Sequence, residues 1–382
     1  MSGLPSMAAV MRHVANGGEG PEAELLAISE PHRYGVSMAT LSDVARRAGV
    51  SPASVSRVLN HPATVSLAIR DRVMRSMDEL GYVRDGAARA LASRNSLTIG
   101  NVVPTLGIGI FATGVGALQQ RLEEFGYQLL VAANDYDQDK EARQVRALIE
   151  RGVDGIALVG HRHAPEVYEL LQSRKLPYVN TYQFDGQNAH PCIGFDNRSG
   201  AFDLTRYLID LGHRDFGIIT APPSLNDRIA ARLKGILDCL EERGIALRSD
   251  RIIEVAQTIA EGRSATRALF AAHPDLTAIC CTTDTLAIGV LFECRLRGIQ
   301  IPDDVSVAGF SDLEIVSQLD PPLSTVHIPA DLIGVRIADF LLDRIRGGTG
   351  PEKIALAANV IIRESTGPVR APRRAKRQRT NG

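Results

Sequence analysis

The sequence lacks the features that mark membrane and secreted proteins. No uninterrupted apolar run approaches the roughly 20 residues that a membrane helix needs, and the amino-terminal segment has no apolar block followed by a small-residue cleavage site. The five cysteines form no CxxC pair and no metal-ligand spacing, so we expect reduced cysteines in a core rather than a disulfide framework. These absences predict a cytoplasmic protein that has no membrane partner.

Charge is distributed unevenly along the chain, although it sums to −1 over 382 residues. Residues 38–96 hold nine Arg and five acidic residues, a charge of +4, and residues 368–382 hold six basic residues and no acids. Residues 1–37 carry −2, which leaves −9 on residues 97–367. Because an acidic body is repelled by a polyanion, this pattern indicates a protein that meets phosphates through its basic segments only.

The two ends of the chain show no convincing periodicity. Residues 1–37 contain several Gly and Pro and are predicted to form a poorly ordered extension. Met38 is an alternative start, because the structured pattern begins directly after it. The basic residues 368–382 lack apolar anchors, which favours a solvated tail and leaves a non-specific phosphate contact as the alternative.

Short helices and tight turns are predicted between residues 38 and 84. Apolar residues recur at helical spacing over 41–48, Gly49 then breaks the helix, and Ser51 followed by Pro52 is typical of a helix start. A third helix is predicted over Leu67–Leu80. A helix, a tight turn and a second helix form the geometry that fits the DNA major groove, so we interpret 38–84 as an all-α helix-turn-helix domain that binds double-stranded DNA.

The second helix carries the residues expected to touch DNA. Arg57 faces outward and can pair with a guanine edge through two hydrogen bonds, while small Ala53 allows close approach to the bases. Hydroxyl groups such as that of Thr40 are expected at phosphates, where they fix register. The full predicted set is Thr40, Ser51, Pro52, Ala53, Ser54, Ser56, Arg57 and Asn60. A three-helix bundle without a DNA role is the alternative.

From Leu97 onward, short apolar runs alternate with amphipathic stretches. The predicted strands are Thr98–Val103, Gln128–Ala132, Gly155–Val159, Pro177–Thr181, Phe216–Thr220, Ile252–Val255, Ala278–Cys281 and Ser306–Gly309. Predicted helices between them include Ala112–Glu124, Lys140–Arg151, Ser199–Leu211 and Leu286–Arg297. This alternation predicts an α/β core with parallel sheets flanked by helices, and its size favours two lobes over one sheet.

Two local patterns allow other interpretations of the core. Residues 107–112 satisfy G-x-G-x-x-A and Asp135 follows the next strand, as in a nicotinamide-dependent enzyme. Pro104 and the bulk of Phe111 argue against that, and no catalytic dyad lies near in sequence, so we expect neither an enzyme nor a cofactor. The pair at 161 and 163, His-x-His, has no further ligand at metal spacing, so no metal site is expected.

The chain resembles the lactose/galactose repressor (LacI/GalR) family of transcriptional regulators. In its amino-terminal part the resemblance is carried by ATLSDVARRAGVSPASVSRVLN, VSLAIRDRVMRSMDELGY and AARALASR. The resemblance runs from about Thr40 to Gly367. It implies that residues 85–96 form a hinge helix and linker on operator binding, with Leu91 as a wedge in the minor groove. Two hinge helices must meet at the centre of a pseudo-palindromic operator, which implies a homodimer. Without the resemblance, Leu91 would be a helix-packing residue.

The same resemblance implies that residues 97–367 form a periplasmic-binding-protein-like core for effector binding and dimerisation. Lobe one spans about 97–196 and 328–355, and lobe two about 197–327 and 356–367. Positions that match the family's effector contacts are Phe111, Tyr182, Asn226, Arg228, Arg232 and Asp284.

These effector positions leave several alternatives open. Each arginine alone could form a surface ion pair, and Asp284 could cap a helix. Tyr182 stands where several relatives have an acidic residue, so the ligand's identity stays open: a sugar or sugar acid is favoured and a purine is the alternative. The function implied is a repressor whose operator affinity a small ligand controls allosterically, with corepressor or activator logic not excluded.

Overall fold

The computed structural model of the chain describes residues 39–83 and 95–369. They fall into two compact units, a head within residues 1–85 and a core within residues 86–382. In this described part of the chain, no helix combines the length and apolar character that crossing a bilayer requires.

The head is a cluster of three helices. They are α1 (Leu41–Ala48), α2 (Pro52–Asn60) and α3 (Leu67–Leu80). Their apolar faces meet around Val44, Val55 and Val73, each of which is completely buried. Gly49 ends α1 with left-handed backbone (φ 65°), a conformation that glycine adopts without steric cost, and this turns the chain directly into α2.

Lobe one of the core is a six-stranded parallel sheet with the strand order β11-β5-β4-β3-β1-β2. Its strands are β1 (Thr98–Val103), β2 (Gln128–Ala133), β3 (Gly155–Val159), β4 (Tyr178–Thr181), β5 (Cys192–Gly194) and β11 (Lys353–Ala355). Its helices are α4 (Gly109–Glu123), α5 (Gln138–Glu150), α6 (Pro165–Ser173) and α11 (Ala330–Ile345). Helix α11 packs against α4.

Lobe two contains a four-stranded parallel sheet with the order β7-β6-β8-β9 and an antiparallel pair, β10 with β12. The strands are β6 (Phe216–Thr220), β7 (Ile252–Glu254), β8 (Ala278–Cys281), β9 (Ser306–Ala308), β10 (Thr325–His327) and β12 (Asn359–Ile361). The helices are α7 (Asn197–Asp210), α8 (Asp227–Glu242), α9 (Ile259–Ala272) and α10 (Asp284–Arg297).

The chain passes between the lobes three times, after β5, after β10 and after β11. In lobe one the strand order reverses between β1 and β3, and in lobe two between β6 and β8. Open α/β sheets bind ligands beyond the carboxyl ends of the strands at such reversal points. We therefore expect a ligand site among the segments that follow these four strands.

The predicted fold class is confirmed, and the differences lie in short elements. The third helix of the head begins and ends as expected, and the eight predicted strands are present with bounds that shift by at most one residue. Strands β5, β10, β11 and β12, of three residues each, were not predicted. The five cysteines are buried and free, as expected for core thiols.

Candidate DNA-reading helix and effector cleft

Capping fixes the two helices of the predicted DNA-reading motif. The Thr40 hydroxyl accepts from the Asp43 backbone N–H at 3.2 Å, and the Asp43 carboxylate accepts from the Thr40 N–H at 3.0 Å. The Thr40 hydroxyl also donates to the Asp43 carboxylate at 2.6 Å, and this bond, followed by that from the Thr40 N–H, is the main reason that the pKa of Asp43 is lowered. At the start of α2, the Ser51 hydroxyl accepts from the Ser54 N–H at 3.2 Å. Thr40 and Ser51 therefore lie at the amino-terminal ends of helices, where backbone N–H groups favour an anion.

The predicted reading residues lie on one exposed face of α2. Ala53, Arg57 and Asn60 follow one another at helical spacing and are exposed. Pro52 is also exposed, and Ser54 and Ser56 are partly buried. Within 39–83 and 95–369, no residue forms an ion pair with Arg57, so its guanidinium projects from the head unengaged.

Some predicted features lie outside the described residues. They are the extension 1–37 with Met38, most of the hinge 85–96 including Leu91, and the tail beyond Val369.

Three of the predicted effector residues, Asn226, Arg228 and Arg232, lie at the start of α8. Asn226 caps this helix, since its side-chain oxygen accepts from the Arg228 N–H at 3.1 Å. Both Arg228 and Arg232 are buried. Arg228 donates to the carboxylate of its neighbour Asp227 at 2.8 Å. The arginines thus share one buried face of α8, and at least Arg228 is ion-paired.

Arg232 is held by uncharged groups. Its Nε donates to Asn197 Oδ1 at 2.8 Å, and an Nη1 hydrogen is donated to the Thr282 carbonyl at 2.9 Å. The guanidinium carbon lies 4.0 Å from the centroid of the Phe310 ring. Burial, and then the neighbouring charge of Arg228, lower the pKa of Arg232 to about 9. The side chain therefore remains charged at neutral pH without a directly bonded anion.

The aromatic residues predicted on lobe one contact each other. Phe111 and Tyr182 are both buried, with ring centroids 5.3 Å apart at an interplanar angle of 70°. The Tyr182 hydroxyl donates to the Ile110 carbonyl at 3.3 Å. Burial raises the pKa of Tyr182 and the charge of Arg228 opposes that rise, which places the two side chains within electrostatic reach.

Asp284 is the most buried acid of the cleft. Its oxygens accept from the Thr325 hydroxyl at 2.6 Å and from the Leu313 N–H at 2.9 Å. Burial raises its pKa to about 6, against these hydrogen bonds and the charge of Arg232. The alternative that Asp284 caps α10 is wrong, because Thr283 occupies the cap position and accepts from the Leu286 N–H.

Sequence reasoning missed residues that join the two lobes. Asp227 of lobe two accepts from the His161 N–H at 2.5 Å and the Arg162 N–H at 3.2 Å, both in lobe one. Asn197 donates to the Tyr182 carbonyl at 2.9 Å while its oxygen accepts from Arg232. No spacing in the sequence indicates these contacts. Those of Asp227 and that of Asn197 with Tyr182 pair residues from different lobes, and Asn197 and Arg232 lie on different helices of lobe two.

The alternative chemistries of the sequence are resolved by other contacts. Asp135 pairs with Lys140. His163 bonds Glu141 at 2.7 Å and the Gly160 carbonyl at 3.0 Å. Among the described residues, no group of three or more His, Cys, Asp or Glu side chains is arranged to hold a metal ion.

Comparison with known proteins agrees with this arrangement. Residues 35–85 match the model of bacterial regulatory proteins of the lacI family, and residues 205–366 match the periplasmic binding protein-like domain. The chain is 31% identical over 307 residues to the HTH-type transcriptional regulator GntR of Escherichia coli, covering 80% of this chain and 92% of that protein. It is 33% identical over 331 residues to the ribose operon repressor of Haemophilus influenzae, covering 86% and 98%.

Solved structures give the same result. A LacI family transcriptional regulator from Silicibacter pomeroyi matches with a TM-score of 0.79 at 27% identity, over 86% of this chain and 99% of that one. The lac repressor dimer bound to operator and the anti-inducer ONPF matches with a TM-score of 0.77 at 25% identity, over the same shares. With its helix-turn-helix head and two-lobed core, this chain belongs to the LacI family of DNA-binding transcriptional regulators.

Proposed function

We propose that this protein is a repressor that binds a pseudo-palindromic operator as a homodimer, and that a small molecule held between the lobes of the core controls its operator affinity. The site of action is then the bacterial cytoplasm, at the nucleoid. Allosteric control requires the effector to bind two conformations unequally, and a coupling of about 1–3 kcal/mol gives a 5- to 150-fold response.

For DNA, the proposal depends on the exposed face of α2. Arg57 has no ion pair among the described residues and can form the two-hydrogen-bond contact with guanine. Ala53 and Asn60 lie beside it, and Thr40 and Ser51 are assigned to phosphates. Leu91 is assigned to the minor-groove wedge at the centre of the operator.

For the effector, the observation that carries the proposal is the charge of Arg232. A buried guanidinium is costly unless an anion compensates it, and the direct partners of this one are an amide oxygen and a backbone carbonyl. A ligand carboxylate within reach of Arg232 and Arg228 would supply that anion. We therefore propose a sugar acid as the effector, with Phe111 and Tyr182 covering its apolar face and Asn226 and Asp284 completing the polar lining.

The proposal is tested in two steps with the full-length protein. Selection from random duplexes should recover a palindromic site, and Arg57→Ala and Leu91→Ala should each weaken binding to it. Aldonic acids, neutral sugars including ribose, and purine bases are then added to the complex. We expect an aldonic acid to release the operator. If only a purine releases the operator, the effector is a purine and not a sugar acid. Tighter operator binding on addition of the effector would indicate a corepressor. If the protein prefers no palindrome over random duplex, the proposal that it is a sequence-specific regulator is wrong.

A further inference from the structure

Tyr136 follows β2 in a conformation that its local sequence does not favour. Asp135 and Tyr136 both have left-handed backbone, with φ of 53° and 62°. Residues other than glycine avoid this region, and consecutive examples persist only where the surroundings impose them. Strain of this kind is concentrated at ligand-binding and catalytic sites.

A buried hydrogen-bond chain fixes this turn. Asn134 Oδ1 accepts from the Tyr136 N–H at 3.0 Å, and Asn134 Nδ2 donates to Glu141 at 2.9 Å. Glu141 in turn bonds His163, which also bonds the carbonyl of Gly160 at the end of β3. The backbone of Tyr136 is therefore held by contacts that link the ends of β2 and β3 within lobe one.

The ring of Tyr136 faces the space between the lobes. A cavity of about 30 Å³ lies there, and Tyr136 lines it together with Asp227 and Arg228 of lobe two. Burial raises the pKa of Tyr136, and the charges of Arg228 and Arg232 oppose that rise. The phenol therefore stays protonated at neutral pH within electrostatic reach of both arginines.

The hydroxyl of Tyr136 differs from two other tyrosine hydroxyls near the cleft, which have protein partners. Tyr182 donates to Ile110, and Tyr168 accepts from Asn180. Within 39–83 and 95–369, no residue hydrogen-bonds the Tyr136 hydroxyl.

We propose that Tyr136 is a specificity-determining residue of the effector site, and that its hydroxyl hydrogen-bonds a hydroxyl of a polyhydroxylated acid whose carboxylate lies toward Arg228 and Arg232. This rests on the proposed function of the cleft. Tyr136 selects for the polyol end of the ligand, because an analogue without that hydroxyl leaves the phenol O–H without a partner once the lobes enclose the ligand.

The experiment compares the full-length wild type with Tyr136→Phe, and uses Tyr207→Phe as the matched control. The Tyr207 hydroxyl bonds Thr366 at 3.1 Å within lobe two, so the control also removes one phenol hydrogen bond. Binding of five- and six-carbon aldonates, and of their singly deoxygenated analogues, is measured by calorimetry.

We expect Tyr136→Phe to bind the preferred aldonate about 5- to 10-fold more weakly, and to bind one deoxy analogue as well as the wild type does. Tyr207→Phe should match the wild type for every ligand. Because the chain contains no Trp, the ultraviolet difference spectrum on ligand binding is dominated by tyrosines. The perturbation should be smaller in Tyr136→Phe, where Tyr182 still contributes, and unchanged in Tyr207→Phe.

Each other result overturns the inference. Equal aldonate affinity of Tyr136→Phe and wild type would remove Tyr136 from the site while leaving the regulator intact. Equal losses for the aldonate and all its deoxy analogues would make its role structural. If the wild type binds operator but no aldonate, the proposed class of effector is wrong, and so is the assignment of Tyr136 to an aldonate hydroxyl. If the wild type does not bind operator, the proposed function itself is wrong.

Discussion

The carboxylate of Asp227 on lobe two accepts a 2.5 Å hydrogen bond from the backbone N–H of His161 on lobe one. The next amide, that of Arg162, donates to the same oxygen at 3.2 Å. Close approach is possible because Gly160 has left-handed backbone (φ 96°) and no side chain; a Cβ there would collide with Arg228 and Asp227. The contact joins the lobes around a cavity of about 30 Å³, too small for a sugar, so ligand entry requires this contact to open.

Asp227→Asn should loosen this connection. The amide keeps one acceptor oxygen but loses the negative charge, and a hydrogen bond to a charged group is worth about 1 kcal/mol more than a neutral one. We expect hydrogen exchange at the amides of residues 161 and 162 to become about fivefold faster, measured by mass spectrometry on the peptide that spans them.

Asp238→Asn is the control for this measurement. Asp238 lies on the same helix, α8, and pairs with Arg198 and Lys234 without reaching lobe one. Its variant should leave exchange at 161 and 162 unchanged. Equal exchange in Asp227→Asn and wild type would show that Asp227 does not hold the lobes together.

Arg57→Ala should reduce the preference for operator over random duplex more than it reduces general affinity for DNA. A two-hydrogen-bond contact with guanine is worth about 1–3 kcal/mol, so the ratio of operator to random-duplex affinity should fall by roughly 5- to 150-fold. Fluorescence anisotropy at fixed salt measures both affinities. Arg46→Ala is matched in charge but lies exposed on α1, paired with Asp43, and should weaken both duplexes alike. Similar ratios in the two variants would contradict the assignment of Arg57.

The elements that could be predicted from the sequence are those set by residues close to them in the chain. The head follows from caps and glycine: Ser51, Gly49 and Gly81 each act within a few residues of their own position, and the helix Leu67–Leu80 begins and ends as predicted. Buried strands such as Gly155–Val159 are continuous apolar runs with no competing pattern.

The cleft is set by contacts that no local pattern encodes. Asn197 bonds both Tyr182 and Arg232 only because the chain crossing after β5 brings α7 and α8 against the segment that follows β4. Asp227 and Tyr136 likewise line one cavity only because the two lobes meet there. The motif-matched residues could be predicted from the resemblance, whereas residues that position them or connect the lobes required the three-dimensional arrangement.

Asp284 should make the core less stable as pH rises. In the folded chain its carboxyl keeps a proton until about pH 6, against an ordinary value of 3.8. The folded state therefore binds more protons between these values, and the free energy of unfolding falls as pH rises from about 4 to 6, by up to about 3 kcal/mol. Urea titrations across this window should show a decrease for the wild type that Asp284→Asn lacks.

Thr325→Val sharpens this test. The Thr325 hydroxyl donates to Asp284 at 2.6 Å and favours the charged carboxylate. Its removal should raise the pKa of Asp284 further and extend the decrease in stability to higher pH. Identical pH profiles for wild type, Asp284→Asn and Thr325→Val would mean that Asp284 ionises normally in its buried position.

Arg232→Lys should separate effector binding from DNA binding. The guanidinium bonds Asn197 and the Thr282 carbonyl through different nitrogens while lying over Phe310, and a single ammonium group cannot reproduce that fork. We expect affinity for the effector to fall by at least ~10-fold, and operator affinity without effector to stay near the wild-type value, so that the variant remains on DNA when effector is added.

Arg243→Lys provides the comparison, since Arg243 ends the same helix, is exposed and pairs with Asp210 at 3.4 Å. It should respond to effector as the wild type does. If Arg232→Lys also releases the operator at the wild-type effector concentration, the buried charge serves packing alone. The ligand would then supply no anion to Arg232, and the proposed preference for an acidic effector would be wrong.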